Sequence, residues 1–190
     1  MRLSRRGQPG VTVIEVIVLV AILAIIAGVG LPELVGAMQR ARARGAADEI
    51  AIAARDARAR AMGSGWTFRV IGYNDASSVR PNQFRIEGVS NPNTVAWPAQ
   101  DTPGPFATAT ATADRWISLP REFGGARLNP GDSSGGAAAC GASNSFCLTF
   151  NVAGMLVPGS TYQGPGGSLM VAGGVNRNLT TSMAGGVRIQ

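Results

Sequence analysis

The sequence predicts an α+β fold, in which one long N-terminal α-helix packs against a C-terminal antiparallel β-sheet head. Two observations carry this prediction. The first is an apolar run that passes into a stretch rich in helix-forming residues and ends near residue 63. The second is a set of short segments in residues 64–190 where apolar and polar residues nearly alternate, separated by loops rich in Gly, Pro, Ser and Thr.

The apolar run is long enough to cross a membrane. From Val16 to Leu31 the sequence has no charged or polar residue, and counted from Val11 it matches the ~20 residues that a transmembrane helix needs. A secretory signal would have a shorter apolar core followed by a cleavage site of small residues. Here the candidate cleavage mark, Gly10, precedes the run. We therefore expect residues 1–10 to be removed and the run, in residues 11–32, to be retained.

Residues 33–63 predict a continuation of the same helix, because Ala, Arg and Glu are strong helix formers. The Gly63-Ser64-Gly65 segment should end it. At 1.5 Å per residue this helix would be roughly 75–80 Å long, so its apolar end should be buried in a membrane or among copies of itself. The expected apolar contacts are Leu34, Met38, Ile50 and Ile52, and the residues expected to leave room for close packing are Ala46, Ala47, Ala51, Ala53, Ala54, Ala57 and Ala61.

The head should contain strands in six segments, namely residues 66–73, 83–89, 115–120, 145–152, 168–175 and 185–190. The longest predicted loops are Ser90–Ala113 and Asn129–Ser145, and loops of this length are usually mobile or functional. Trp97, in the first loop, is a candidate contact surface. We expect the other aromatic residues to form the head core: Trp66, Phe68, Tyr73, Phe84, Trp116, Phe123, Phe146 and Phe150.

Composition excludes several function classes. The net charge of +6 and the pI near 10.9 suggest a nucleic-acid-binding protein. From Gly63 onward, however, the sequence contains eight arginines and six acidic residues, which gives this part a net charge of only +2. The chain has no His and no Lys, and it has no Gly-x-Ser-x-Gly motif and no zinc-like cysteine spacing. We therefore expect no enzyme activity, no metal and no cofactor.

Four features occur together near the N-terminus: Arg5-Arg6, Gly10, Glu15 and the uninterrupted apolar run. In this order and spacing they resemble the signature of type IV pilin-like proteins. The resemblance implies that prepilin peptidase cuts between Gly10 and Val11 and then methylates the amino group of Val11. The first residue after the cut is usually Phe in that family and is Val here, which bears on methylation more than on cleavage.

Glu15 is the fifth residue after the implied cut. A carboxylate within an apolar span costs several kcal/mol unless it finds a partner. The resemblance implies that Glu15 pairs with the free amine of Val11 on an adjacent subunit and so sets the stagger between neighbours. The alternative is that Glu15 reaches the lipid headgroups. Pro32, which pilins often match, should kink or loosen the helix and take part in assembly.

The head resembles, more loosely, the GspH/FimT family of minor pseudopilins, through Phe146–Gly154, Arg177–Ile189 and Ile117–Pro120. FimT-like members are linked to DNA uptake through a C-terminal Gly-Arg-x-Arg motif. Here the corresponding residues are Gly185-Gly186-Val187-Arg188, so one arginine is missing. Arg177 and Arg188 are weak candidates for DNA contact, and solvated arginines on an edge strand are the favoured interpretation.

The resemblance implies a minor pilin or pseudopilin subunit of a type II secretion pseudopilus or a type IV pilus. The alternative is a binding module at a pilus tip, for DNA uptake or adhesion. The implied partners are other pilins or pseudopilins, prepilin peptidase, an inner-membrane assembly platform and the lipid bilayer, with DNA a weak candidate. The implied location is the bacterial inner membrane, with a cytoplasmic N-terminus and a periplasmic head, and then the filament. In that oxidising compartment Cys140 and Cys147 should form one short-loop disulfide.

Overall fold

A computed structural model describes residues 11–74, 77, 79–130, 145–157, 168–172, 177–182, 184 and 186–189. It confirms the α+β prediction: one long helix, α1 (Val13–Ser64), precedes a head of antiparallel strands. The strands are β1 (Thr67–Tyr73), β2 (Gln83–Val89), β3 (Phe106–Ala107), β4 (Ala111–Ala113), β5 (Ile117–Ser118), β6 (Arg127–Pro130), β7 (Ser145–Phe150), β8 (Ser168–Ala172), β9 (Arg177–Thr181) and β10 (Val187–Ile189), with a short helix, α2 (Leu119–Glu122), after β5.

Helix α1 ends where the sequence predicted. The hydroxyl of Ser64 donates to the carbonyl oxygen of Arg60 at 2.7 Å and accepts from the backbone N–H of Trp66 at 3.2 Å. Gly65 has a φ of 72°, which is the left-handed conformation that commonly ends a helix and that glycine adopts without steric cost. The helix continues through Pro32 without interruption.

One face of the second half of α1 consists of small residues. Ile50 is the one large side chain among its buried hydrophobic residues, and the others are alanines that recur every three or four positions. The alanines let the helix approach the head closely, and Phe84, Phe146 and Phe150 fill the space opposite. Of the four expected apolar contacts, Ile50 is buried in the head core, whereas Leu34, Met38 and Ile52 are exposed in the single chain. The buried alanines are Ala43, Ala46, Ala47, Ala51, Ala53, Ala54, Ala57 and Ala61.

The described strands form two antiparallel sheets rather than one. The first has the order β3-β4-β2-β1-β7, with β5 also paired to β2, and the second has the order β10-β9-β8-β6. Leu128 of β6 and Val187 of β10 join the same core as α1 and the first sheet. Four strands were not predicted, β3, β4, β6 and β9, and the predicted strand at 115–120 is shortened by α2. Apart from β9, these elements have two to four residues, which is too short for alternation to be recognised.

The two faces of β1 have different neighbours. Phe68 and Val70 point toward α1 and belong to the main core, whereas Ile71 and Tyr73 lie on the opposite face with Cys147 and Trp116. Five of the aromatic residues predicted to form the head core are buried: Phe68, Tyr73, Phe84, Phe146 and Phe150. Trp66, Trp116 and Phe123 are only partly buried.

Candidate functional site

Residues 11–38 form an apolar helical segment that is exposed on all sides in the single chain. Every large hydrophobic side chain that the structure describes from Val11 to Met38 is at least 47% exposed. The helix is long and apolar enough to cross a membrane. An exposed apolar surface of this extent indicates contact with lipid or with other protein.

Glu15 lies in the first turn of α1, at the start of this segment. Its backbone N–H donates to the carbonyl oxygen of Thr12 at 3.1 Å and to the Thr12 hydroxyl at 3.4 Å. Thr12 is therefore the N-cap, and Thr12-x-x-Glu15 has the spacing of a capping box. The sequence analysis missed this role, although the motif is visible in the sequence. A negative charge at this position also interacts favourably with the helix dipole.

The other predicted N-terminal positions are placed as follows. Val11 is exposed just before α1, and Pro32 lies within α1. Gly10 lies outside the described residues. Cleavage and methylation therefore remain predictions, as does the assembly role of Pro32.

Of the predicted disulfide, the structure describes one cysteine. Cys147 is buried on β7, opposite Ile71 of β1. Cys140 lies outside the described residues, so the pairing remains a prediction.

The two candidate DNA contacts belong to neighbouring strands of the second sheet. Arg177 begins β9 opposite Val171, and Arg188 lies in β10 opposite Thr180. The β9 residue opposite Arg188 is therefore three positions after Arg177. DNA contact by these two arginines remains a prediction.

The structure reveals a buried ionic cluster that the sequence analysis did not predict. The carboxylate of Glu87 on β2 accepts from Arg69 of β1, at 2.7 Å to Nη2 and 2.9 Å to Nε. Its other oxygen accepts from Arg85 at 2.7 Å to Nε. Arg85 is 0%, Glu87 1% and Arg69 5% exposed. One carboxylate therefore faces two buried guanidinium groups.

This cluster holds the long Ser90–Ala113 segment against the sheet. Arg85 donates to the carbonyl oxygens of Thr102 at 2.8 Å and Ala99 at 3.2 Å. The Trp97 ring lies 4.1 Å from the Arg69 guanidinium, a cation–π distance. The segment also contains β3 and β4, so the prediction of one long loop over Ser90–Ala113 is wrong. Trp97 is half-buried, and its ring covers part of the ionic cluster.

Tyr73 lies on the same face of the sheet, 5.7 Å from the ring of Trp116. Burial raises the pKa of the Tyr73 phenol, and the negative charge of Glu87 raises this pKa further. The nearby guanidinium groups of Arg69 and Arg85 act in the opposite direction and do not outweigh these effects.

Among the described residues, no group of three or more His, Cys, Asp or Glu side chains is placed to hold a metal ion. The buried cluster consists of satisfied ion pairs covered by protein. Its arrangement is that of a structural element that fixes a loop.

Comparison with known proteins gives two similar solved structures. Both are crystal structures of the type IV minor pilin FimU of Pseudomonas aeruginosa, in two crystal forms. One has 16% sequence identity and a TM-score of 0.44 over 77% of this chain and 91% of FimU. The other has 19% identity and a TM-score of 0.43 over 80% and 88%. No family model and no curated protein matches the chain. Likeness at this level assigns no family, so a function has to be inferred from the residues themselves.

Proposed function

We propose that this protein is a membrane-anchored, pilin-like subunit that assembles into a filament through the first half of α1. The observation that carries the proposal is that Gly10 directly precedes Val11, and that Glu15 lies near the start of a helical apolar segment whose described large hydrophobic side chains are exposed. A helix with this surface requires lipid before assembly and apolar neighbours after it. The same helix continues into the head, so α1 serves both as an anchor and as part of the head core.

Glu15 provides the specificity of assembly in this proposal. A bundle of apolar helices can slide, because one apolar residue packs in place of another at little cost. An acidic side chain and a free amine among such helices are costly unless they meet. The pairing of Glu15 with the amine of Val11 on a neighbour would therefore select one stagger.

Several further steps belong to the proposal. Prepilin peptidase cuts after Gly10 and methylates Val11, and an inner-membrane platform then extracts the subunit into a pseudopilus or pilus with other pilins. The head faces the periplasm, where a Cys140–Cys147 disulfide would form. The choice between a secretion pseudopilus and a pilus depends on the partner pilins, which genes adjacent in the genome would identify.

The test is replacement of Glu15 by Ala and by Gln in the full-length protein, expressed with its partner pilins. Loss of one side of a buried charge pair typically costs about 3–5 kcal/mol, which corresponds to a hundredfold or greater loss of incorporation. We expect Glu15→Ala to be cut normally, with Val11 as its first residue on N-terminal sequencing, and to remain in the membrane unassembled. Glu15→Gln should be intermediate, because it keeps a hydrogen bond without the charge.

Two control variants separate pairing from other effects. Thr12→Ala removes the capping hydroxyl but keeps the carboxylate, and Glu33→Ala removes an exposed acid outside the apolar run. Both should assemble at close to the wild-type level, as measured by crosslinking to partner pilins. If Thr12→Ala fails as Glu15→Ala does, helix capping explains the defect. Assembly of Glu15→Ala at the wild-type level would refute the pairing.

A further inference from the structure

The head carries a second cluster of arginines, in an open depression with a volume of about 470 Å³. It lies beside the covered ionic cluster, and it contains neither Arg177 nor Arg188. A sphere of this volume is about 10 Å across. This width is close to the Debye length of about 10 Å at 0.1 M salt, so salt does not fully screen the charged walls from a group bound between them. The polar and aromatic residues that line it are Arg80, Gln83, Arg115, Trp116, Ser118 and Arg121.

Positive charge in this depression is not balanced by its own walls. Three of the lining residues are arginines and none is acidic. Arg115 and Arg121 are exposed, and within the described residues neither forms an ion pair. Asp114, adjacent to Arg115, instead pairs with Arg60 at 3.0 Å. The nearest acid in sequence to Arg121 is Glu122, which is exposed and does not line the depression.

Arg80 is held in place at the wall. It donates to the carbonyl oxygens of Gln100 at 3.3 Å and Asp101 at 3.4 Å, and its guanidinium lies 5.3 Å from the ring centroid of Trp116. Arg85 also lies against that ring, at 4.1 Å. Because two guanidinium groups already contact the Trp116 ring, the depression is suited to bind charge rather than to stack a planar base.

The presence of three arginines in the lining of one depression favours phosphate. A carboxylate has two oxygens and is matched by one guanidinium fork, whereas a phosphate ester offers up to three acceptor oxygens and up to two negative charges. Gln83 and Ser118 add neutral polar groups at the same wall. The volume lies in the range of ordinary small-molecule sites, which indicates a ligand larger than a single ion.

We propose that this depression, termed the arginine pocket (Arg80, Arg115 and Arg121), binds phosphate esters. Two sources of this chemistry exist: a free phosphorylated small molecule and the backbone of a phosphodiester polymer. Arg80 provides the fixed wall, and Arg115 and Arg121 close on the phosphate from the solvent side. This inference is independent of the filament proposal, because no residue of the pocket lies on α1.

The experiment measures pyrophosphate binding to the full-length protein in an uncharged detergent by isothermal titration calorimetry. The pocket variant is Arg115→Gln/Arg121→Gln, which removes two exposed side chains. The matched control is Arg44→Gln/Arg55→Gln, which removes two exposed arginines of α1 and the same charge. We expect affinity to fall tenfold or more in the pocket variant and less than twofold in the control, with equal thermal stability in all three proteins.

A second arm identifies the source of the phosphate. A single-stranded thymidine 12-mer is titrated into the same proteins and into Arg188→Gln. Binding with the same dependence on Arg115 and Arg121 supports a polymer ligand, and binding of pyrophosphate alone supports a small ester. The proposal is overturned if pyrophosphate fails to bind the folded wild-type protein at millimolar concentration, or if the pocket and control variants weaken binding equally.

Discussion

The buried ionic cluster can be tested by replacing its single carboxylate. Glu87→Gln keeps the size of the side chain but removes the negative charge that pairs with both Arg69 and Arg85. Removing one partner of a buried pair typically costs about 3–5 kcal/mol, because the other charge stays buried without compensation. Since both arginine side chains are at most 5% exposed, we expect a cost in this range.

The expected shift in the thermal midpoint follows from this free energy. For a chain of this size 1 kcal/mol corresponds to about 2–4 °C, so Glu87→Gln should lower the Tm by about 6–20 °C. Urea unfolding followed by circular dichroism would measure the free energy directly. Glu122→Gln is the matched control, because Glu122 is an exposed glutamate of the head, and it should change stability by less than about 0.5 kcal/mol.

The same variant should loosen the segment that the cluster holds. Hydrogen exchange of the backbone amides around Ala99–Thr102 should become faster in Glu87→Gln before global unfolding, because Arg85 would no longer be oriented toward the carbonyl oxygens of this segment. A loss of stability below about 1 kcal/mol, with unchanged exchange at these amides, would refute the view that Glu87 organises the loop.

Two further predictions concern Tyr73 and the cysteines. Because the pKa of Tyr73 is raised above its usual value of 10.0 in the folded state, the unfolded chain should release the phenol proton first, and the free energy of unfolding should fall as the pH rises from 10 through the folded pKa. Tyr73→Phe should flatten this decline above pH 10 in urea titrations, and an unchanged slope would contradict the assignment. The Cys140–Cys147 disulfide should stabilise the head by about 2–3 kcal/mol in the chain-entropy model, measured by unfolding with and without reductant; alkylation of both thiols in protein isolated from the periplasmic side would disprove it.

The amino-acid sequence was sufficient to predict the parts of this protein that depend on local patterns. The apolar run, the alanine-rich second half and the glycines at 63 and 65 defined α1 to within two residues at each end. Strands β1 and β2 were predicted because each has seven residues, and apolar and polar residues nearly alternate along them. The Thr12-x-x-Glu15 cap could also have been predicted from the sequence, because helix capping is a local interaction.

The burial of the charged residues on the strands could not be predicted without the folded structure. Arg69, Arg85 and Glu87 occupy the face of the first sheet away from α1, and an alternating strand with charges on that face predicts exposure to solvent. They are buried because a segment that follows β2 folds back over them, and the carbonyl oxygens of that segment complete their hydrogen bonds.

The arginine pocket and the short strands have the same origin. Arg80, Arg115 and Arg121 are separated by up to 41 positions in the sequence and share one depression only because β5 pairs with β2. Strands β3 and β4 likewise exist through pairing with each other and with β2. The periodicity of a sequence indicates which side of a segment is apolar. The segment that covers the other side is determined by contacts between residues distant in sequence, and these contacts form only in the folded chain.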